Sequence, residues 1–255
     1  MPHPPVTLIA VPLSFAAQLP PAWLTPAERD RAAAYDDGAP RRRFLAGRLG
    51  VRFAIAAHLG RREVMGDPGR VVITGLCPRC GSAAHGRPVA FVDDEPLELS
   101  LSYSRGDIAQ GAAGDSGWLL VGTGPAEVML GVDVCAPIDA WDGIFDPRQE
   151  SVLRLLPEAL RAREAARRWA VIEARGKASG HGIVPAPNHD PRATDPDAEP
   201  AALEDELDPA AGTVGEWAGA LGTLGVKIVA TGTDAERAAL TQLRAAVVLQ
   251  RPTGG

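Results

Sequence analysis

Asp133, Glu173 and Lys177 are the residues of this chain whose types and spacing could do chemistry. Glu173 and Lys177 stand four residues apart in Trp169-Ala-Val-Ile-Glu173-Ala-Arg-Gly-Lys177. A helix would carry both on one face, with Trp169 a turn earlier. Asp133 closes Gly131-Val132-Asp133 after an apolar run, so it could point across the interior at that face. Two carboxylates and an amine suit metal-assisted phosphoryl transfer. The carboxylates hold a hard divalent cation, one of them can take a hydroxyl proton, and the ammonium neutralises a departing phosphate. Taken alone, Glu173 and Lys177 would be a solvated helix pair worth about 0.3–0.5 kcal/mol. Asp133 alone would be a strand-end cap, so the surrounding chain has to supply the meaning.

The elements that would position these residues can be read in order. Val6 to Val11 reads as a strand. Thr25-Pro26-Ala27-Glu28 combines an N-cap, a proline at the first helical position and a capping-box glutamate. A second helix is predicted from about Arg41 to His58, with Phe44, Leu45, Leu49, Phe53 and Ala57 at helical spacing and Gly60 as its stop. From Val71 to about Leu130 the pattern changes to short strands, including the alternating Leu97-Glu-Leu-Ser-Leu101, Gly117 to Gly122 and Val128 to Asp133. Asp146-Pro147-Arg148-Gln149 opens helical sequence reaching Ala178, broken at Pro157 and closed by Gly180 and Gly182. Ile183 to Gly212 is rich in proline and acid and reads as a long loop. Val226 to Ala230 is predicted as a strand, and Asp234 to Leu249 as helix. The order strand, helices, strands, helices, strand indicates an α+β fold.

Composition narrows the function classes. The 255 residues suffice for one large domain or two small ones, and 26 basic against 32 acidic residues give a net charge of −6. That balance argues against general nucleic-acid binding, which draws on neutralised phosphates. Basic residues still gather at Arg41, Arg42, Arg43, Arg48, Arg52, Arg61 and Arg62. No apolar run approaches the roughly 20 residues that span a bilayer. Pro12 interrupts the apolar start and no basic segment precedes it, so a strand is expected there rather than a signal peptide. Cys77, Cys80 and Cys135 are too few for a disulfide scaffold, and a cytoplasmic location is expected. Cys77 and Cys80 have the spacing of half a zinc site; His85 with Cys135 or His58 would have to complete it.

Together these segments resemble the 4′-phosphopantetheinyl transferase superfamily, in its surfactin-synthetase-type branch. The resemblance covers roughly residues 25–182 and runs in the family's order. Its parts are Arg42-Arg43-Phe44 with Gly47-Arg48, Cys77-Pro-Arg-Cys80-Gly81 with His85-Gly86-Arg87-Pro88, Leu99-Ser100-Leu101-Ser102-Tyr103-Ser104, Gly131-Val132-Asp133, and Trp169…Glu173-Ala174…Lys177…Gly180. Each is weak alone; five in sequence are specific. The resemblance implies transfer of the phosphopantetheine arm of coenzyme A to a serine of an acyl or peptidyl carrier protein, with Mg²⁺, by a monomer serving secondary metabolite biosynthesis. It implies two pseudo-two-fold-related α+β halves, 1–126 and 127–255, with coenzyme A in the cleft between them. Asp133 and Glu173 would hold Mg²⁺, Glu173 would take the serine proton, and Lys177 would stabilise the leaving phosphate. Arg43, Arg48, Arg87, Ser102 and Tyr103 would contact coenzyme A.

Three positions depart from the family pattern. Cys135 stands where a second acidic ligand is usual, Tyr103 replaces a histidine, and Ile172 replaces a lysine. They motivate a second expectation, a repurposed member that binds coenzyme A or a carrier protein without transfer, or runs another reaction in the same cleft.

Overall fold

The computed structural model describes residues 6–13, 20–36, 38–77, 80–82, 86–104, 117–180, 182, 226–230 and 244–250. The segment 183–212 and His85 therefore lie outside the described residues. The architecture is mixed α+β, built on an antiparallel sheet with helices, and among the described residues no helix is long and apolar enough to cross a membrane.

Strand β1 (Val6–Pro12) is buried along its whole length because it lies inside the sheet. It pairs antiparallel with β5 (Trp118–Pro125) and parallel with β7 (Val226–Ala230). Beyond β5 come β4 (Glu95–Tyr103), β3 (Arg87–Val92) and β2 (Val71–Leu76), all antiparallel. The continuous apolar run of β1 thus reflects burial on both faces of a central strand.

Thr25 and Glu28 form the expected capping box at the start of helix α1 (Pro26–Ala33), with Thr25 N donating to Glu28 Oε2 at 2.9 Å and Glu28 N to Thr25 Oγ1 at 3.2 Å. Glu28 does more than cap. Its carboxylate receives the guanidinium of Arg52 at 2.8 and 3.1 Å, and Arg52 is fully buried in helix α2 (Ala39–Leu59). Arg52 also donates to the carbonyls of Arg48, Pro68 and Val71. The pair joins α1, α2 and the approach to β2, past the short helix α3 (Glu63–Gly66). Truncating either member would strand a buried charge, at a cost of about 3–5 kcal/mol. Arg52 is therefore structural, although the basic pattern of the helix groups it with its partly exposed neighbours.

Helix α2 covers one face of the sheet. Ala46, Val51, Ala54 and Ile55 pack with Ile9, Val11, Leu99, Leu119 and Val121 into one core. The other face of the sheet carries strand β6 (Met129–Cys135), which pairs antiparallel with β8 (Arg244–Gln250). Residues 244–249 are strand where helix was expected. Val247 and Val248 favour a strand, and β6 offers an edge to pair with, which local helical spacing does not reveal. Helices α4 (Pro147–Leu155) and α5 (Glu158–Ser179) follow β6, separated at Pro157 as expected. The order strand, short capped helix, long helix ended by a left-handed glycine thus occurs twice. Thr25-Pro26 and Gly60 mark it first, Asp146-Pro147 and Gly180 second.

Two contacts hold β6 in place. On one side, side chains of β4 serve as its hydrogen-bonding edge: Glu98 Oε1, Ser100 Oγ and Ser102 Oγ accept from the backbone N–H groups of Leu130, Val132 and Val134 at 3.3, 3.0 and 3.3 Å. Alternate residues of β4 meet alternate residues of β6 in increasing order, so the two strands run in the same direction and end together. On the other side Gly131 lies against α5. A Cβ at that position would stand 1.8 Å from the backbone oxygen of Ala174, so only glycine admits the contact.

Gly131→Ala should accordingly lose at least about 3 kcal/mol, because the blocking atom is backbone and cannot rotate away. Ser100→Ala, which leaves the buried Val132 N–H without its acceptor, should lose about 1–3 kcal/mol. Urea unfolding midpoints at constant m-value measure both.

Candidate active site

The fold brings Asp133, Glu173, Lys177 and Ser102 together where β4 and β6 end beside the last turns of α5. Asp133 sits on β6 with its side chain only 7% exposed. Its Oδ1 accepts from Ser102 Oγ at 2.6 Å and from Lys177 Nζ at 2.6 Å. Lys177 Nζ also donates to the carbonyl oxygen of Val132 at 3.2 Å. Each part has a structural cause. Ser102 faces β6 because it shares the polar side of β4 with Glu98 and Ser100. Its oxygen is occupied by Val134 N–H, which leaves the hydroxyl hydrogen for Asp133. Lys177 reaches the strand because α5 sits close against it at Gly131.

Glu173, one turn before Lys177, completes the group electrostatically. Burial raises its carboxyl above the ordinary carboxylate range, the Lys177 ammonium pulls the other way, and the Asp133 carboxylate adds to the rise. Among the described residues it accepts no hydrogen bond. Glu173 is a half-buried carboxylate beside a second carboxylate, which is how a base with a raised proton affinity is made. Cys135 stands at the rim of the same group. Burial pushes its thiol up to about 12, with Asp133 and Glu173 adding to the shift, so it stays protonated at neutral pH.

The remaining predicted residues are divided between two faces. Adjacent residues of a strand point oppositely, so Tyr103 turns toward α2 while Ser102 turns toward β6. A Cβ on Gly47 would stand 2.1 Å from the Tyr103 hydroxyl, and this glycine is what lets the phenol lie over the helix. Burial pushes Tyr103 up to about 12, opposed by the positive charges of Arg48 and Arg43. Arg48 donates to the carbonyl of Ile73 at 3.3 Å, lies 3.8 Å from Glu28 and stands over the Phe44 ring at 5.4 Å. Arg43 and Arg48 thus flank Tyr103 on the side of β4 opposite Asp133. Arg87 is on the Asp133 side but is paired with the buried Glu98. Glu98 and Ser102 are four residues apart, about 13 Å along the strand, which separates Arg87 from the Asp133 group.

Ile172 points away from the site. It packs with Trp169 against the cluster of Phe145, Leu153 and Ala165, so an apolar residue there continues a core. Of the residues that would complete a zinc site with Cys77 and Cys80, His58 bonds Thr7 Oγ1 at 3.0 Å and Cys135 stands beside Asp133 and Glu173. No group of three or more His, Cys, Asp or Glu placed for a metal occurs among the described residues; the centre has two carboxylates. Spacing arguments missed the roles of Glu98, Ser100 and the Val132 carbonyl. The available signal was the string Glu98-Leu-Ser100-Leu-Ser102, whose polar members share one face of a strand.

Cys135, held as a neutral thiol, should resist alkylation at neutral pH, whereas the exposed Cys80 should react. Iodoacetamide labelling read by peptide mass spectrometry checks the order, which would reverse if the Cys135 site were open and electropositive.

No protein-family model matches the chain, and a search of curated proteins finds no match.

Proposed function

We propose that this protein transfers the 4′-phosphopantetheine arm of coenzyme A to a carrier-protein serine with the help of Mg²⁺. The observation that carries the proposal is the meeting of Glu173 and Lys177 of α5 with the buried Asp133 of β6, with Ser102 locking Asp133 in place. The twice-used order of strand, short helix and long helix supports two related halves, 1–126 and 127–255. Among the departures, Ile172 lies outside the site and bears least on activity.

The donor set fits Mg²⁺. Two hard carboxylates suffice for an ion that keeps several waters, and burial together with the neighbouring Asp133 charge, which raise Glu173, are what a bound cation would offset. Protonated Cys135 is a poor ligand for such an ion, so Asp133 and Glu173 would hold it without a third carboxylate. When bound, Mg²⁺ neutralises charge on the diphosphate under attack. Glu173 takes the proton of the carrier serine as its oxygen bonds to the phosphorus next to the pantetheine arm. The bond from that phosphorus to the nucleotide's phosphate oxygen breaks. Lys177 stabilises the charge left on the departing nucleotide. Tyr103, Arg43 and Arg48, on the opposite side of the same strand end, suit the more distant phosphate of a long ligand lying across it. The protein would act as a soluble cytoplasmic monomer.

An apo carrier incubated with the protein, coenzyme A and Mg²⁺ should gain the mass of one phosphopantetheine arm. Asp133→Ala and Glu173→Gln should each reduce the rate by at least about 100-fold. The base must be ionised, so kcat/KM should fall on acidification as the Glu173 carboxylate takes up a proton. Glu173→Gln should abolish that acid limb. Coenzyme A binding that ignores Mg²⁺, with no mass gain on several carrier types, would favour the repurposed reading, which the protonated Cys135 beside both carboxylates motivates.

A further inference from the structure

Asp133 Oδ1 has two lone pairs, and both are occupied in the free chain. One accepts the Ser102 hydroxyl and the other the Lys177 ammonium, each at 2.6 Å. These two donors differ in how readily they can leave. Ser102 is buried and tied to Val134 N–H, so withdrawing it would disturb the β4–β6 contact. Lys177 is 28% exposed and sits at the end of a flexible four-carbon stem in the last turn of α5. We infer that the Lys177 ammonium is a built-in counter-ion of the Asp133 carboxylate that opposes a divalent cation there and is surrendered only when an anionic ligand offers it a better partner. The inference rests on the Mg²⁺-dependent reading of the same site.

Two functions requiring opposite positions of one side chain follow from this arrangement. Lys177 on Asp133 occupies one carboxylate oxygen and sets a positive charge where a divalent cation would approach; Lys177 on a phosphate removes both obstacles. Cation and diphosphate therefore bind with positive coupling, and the free chain binds a divalent cation weakly. The buried Asp133 is neutralised at every stage, first by an amine and then by the cation, and never stands unpaired. The Val132 carbonyl holds the amine in its resting place as a second acceptor.

The test uses Mn²⁺ alone as the probe, with the loss of the free-ion paramagnetic resonance signal as readout and no coenzyme A present. Lys177→Met should bind Mn²⁺ about tenfold tighter than the parent chain or more, the effect of removing one charge-assisted competitor. Lys177→Arg, which keeps a cation at the position, should bind as weakly as the parent. Equal affinity of parent and Lys177→Met, or a gain shared by Lys177→Arg, overturns the inference. Failure of Lys177→Met to bind Mn²⁺ overturns it, and the Mg²⁺ dependence of the carrier assay then decides the metal-dependent reading separately. Tighter binding by Lys177→Met, with the parent chain transferring to no carrier, upholds the counter-ion and removes the transferase reading alone.

Discussion

The row of side chains Glu98, Ser100 and Ser102 is the contact on which the site depends. A strand lying on the face of another sheet cannot share its backbone ladder, yet its N–H groups still need acceptors once buried. Here β4 supplies them from alternate side chains, to Leu130, Val132 and Val134 of β6. Three such bonds contribute only about 1 kcal/mol each, but leaving the same donors unmet would cost more than making them gains. The row also fixes register. A one-residue slip of β6 would turn its other edge to β4 and carry Asp133 away from Ser102.

Electrostatics at the site follow from that placement. Asp133 is buried because β6 is sandwiched between the sheet and α5, and a buried carboxylate needs hydrogen-bond donors and a counter-charge. Ser102 and Lys177 provide them. Glu173 shares the same ammonium only at a distance, so burial dominates its behaviour and its proton affinity rises. Two carboxylates on one helix-and-strand junction thus acquire different roles, one fixed and one able to take a proton. The same burial keeps Cys135 neutral.

Much of the scaffold was legible before any coordinates. Caps at Thr25 and Asp146, stops at Gly60 and Gly180 and the break at Pro157 are local signals, decided within a turn or two of the residues that carry them. The strand at 244–250 was not legible, because its identity comes from pairing with β6 more than a hundred residues earlier. Alternation in β4 marks a strand but carries no information on what the polar face meets. A solvated face and a buried face that hydrogen-bonds a second strand have the same pattern. Arg52 illustrates the same limit, since a stripe of arginines does not say which one is swallowed by a capping glutamate.

The sequence by itself determined the residue types at the site, the one-turn spacing of Glu173 and Lys177, and the helix that holds them. These are properties of neighbours along the chain, and helical periodicity is enough to read them. Tertiary structure alone decided that Lys177 rests on Asp133, that Ser102 locks the same carboxylate, and that Tyr103, Arg43 and Arg48 lie on the other side of β4. Those relations join residues from strands and helices far apart in the chain. They follow from the depth at which β6 is buried and from the single glycine, Gly131, that lets α5 approach it.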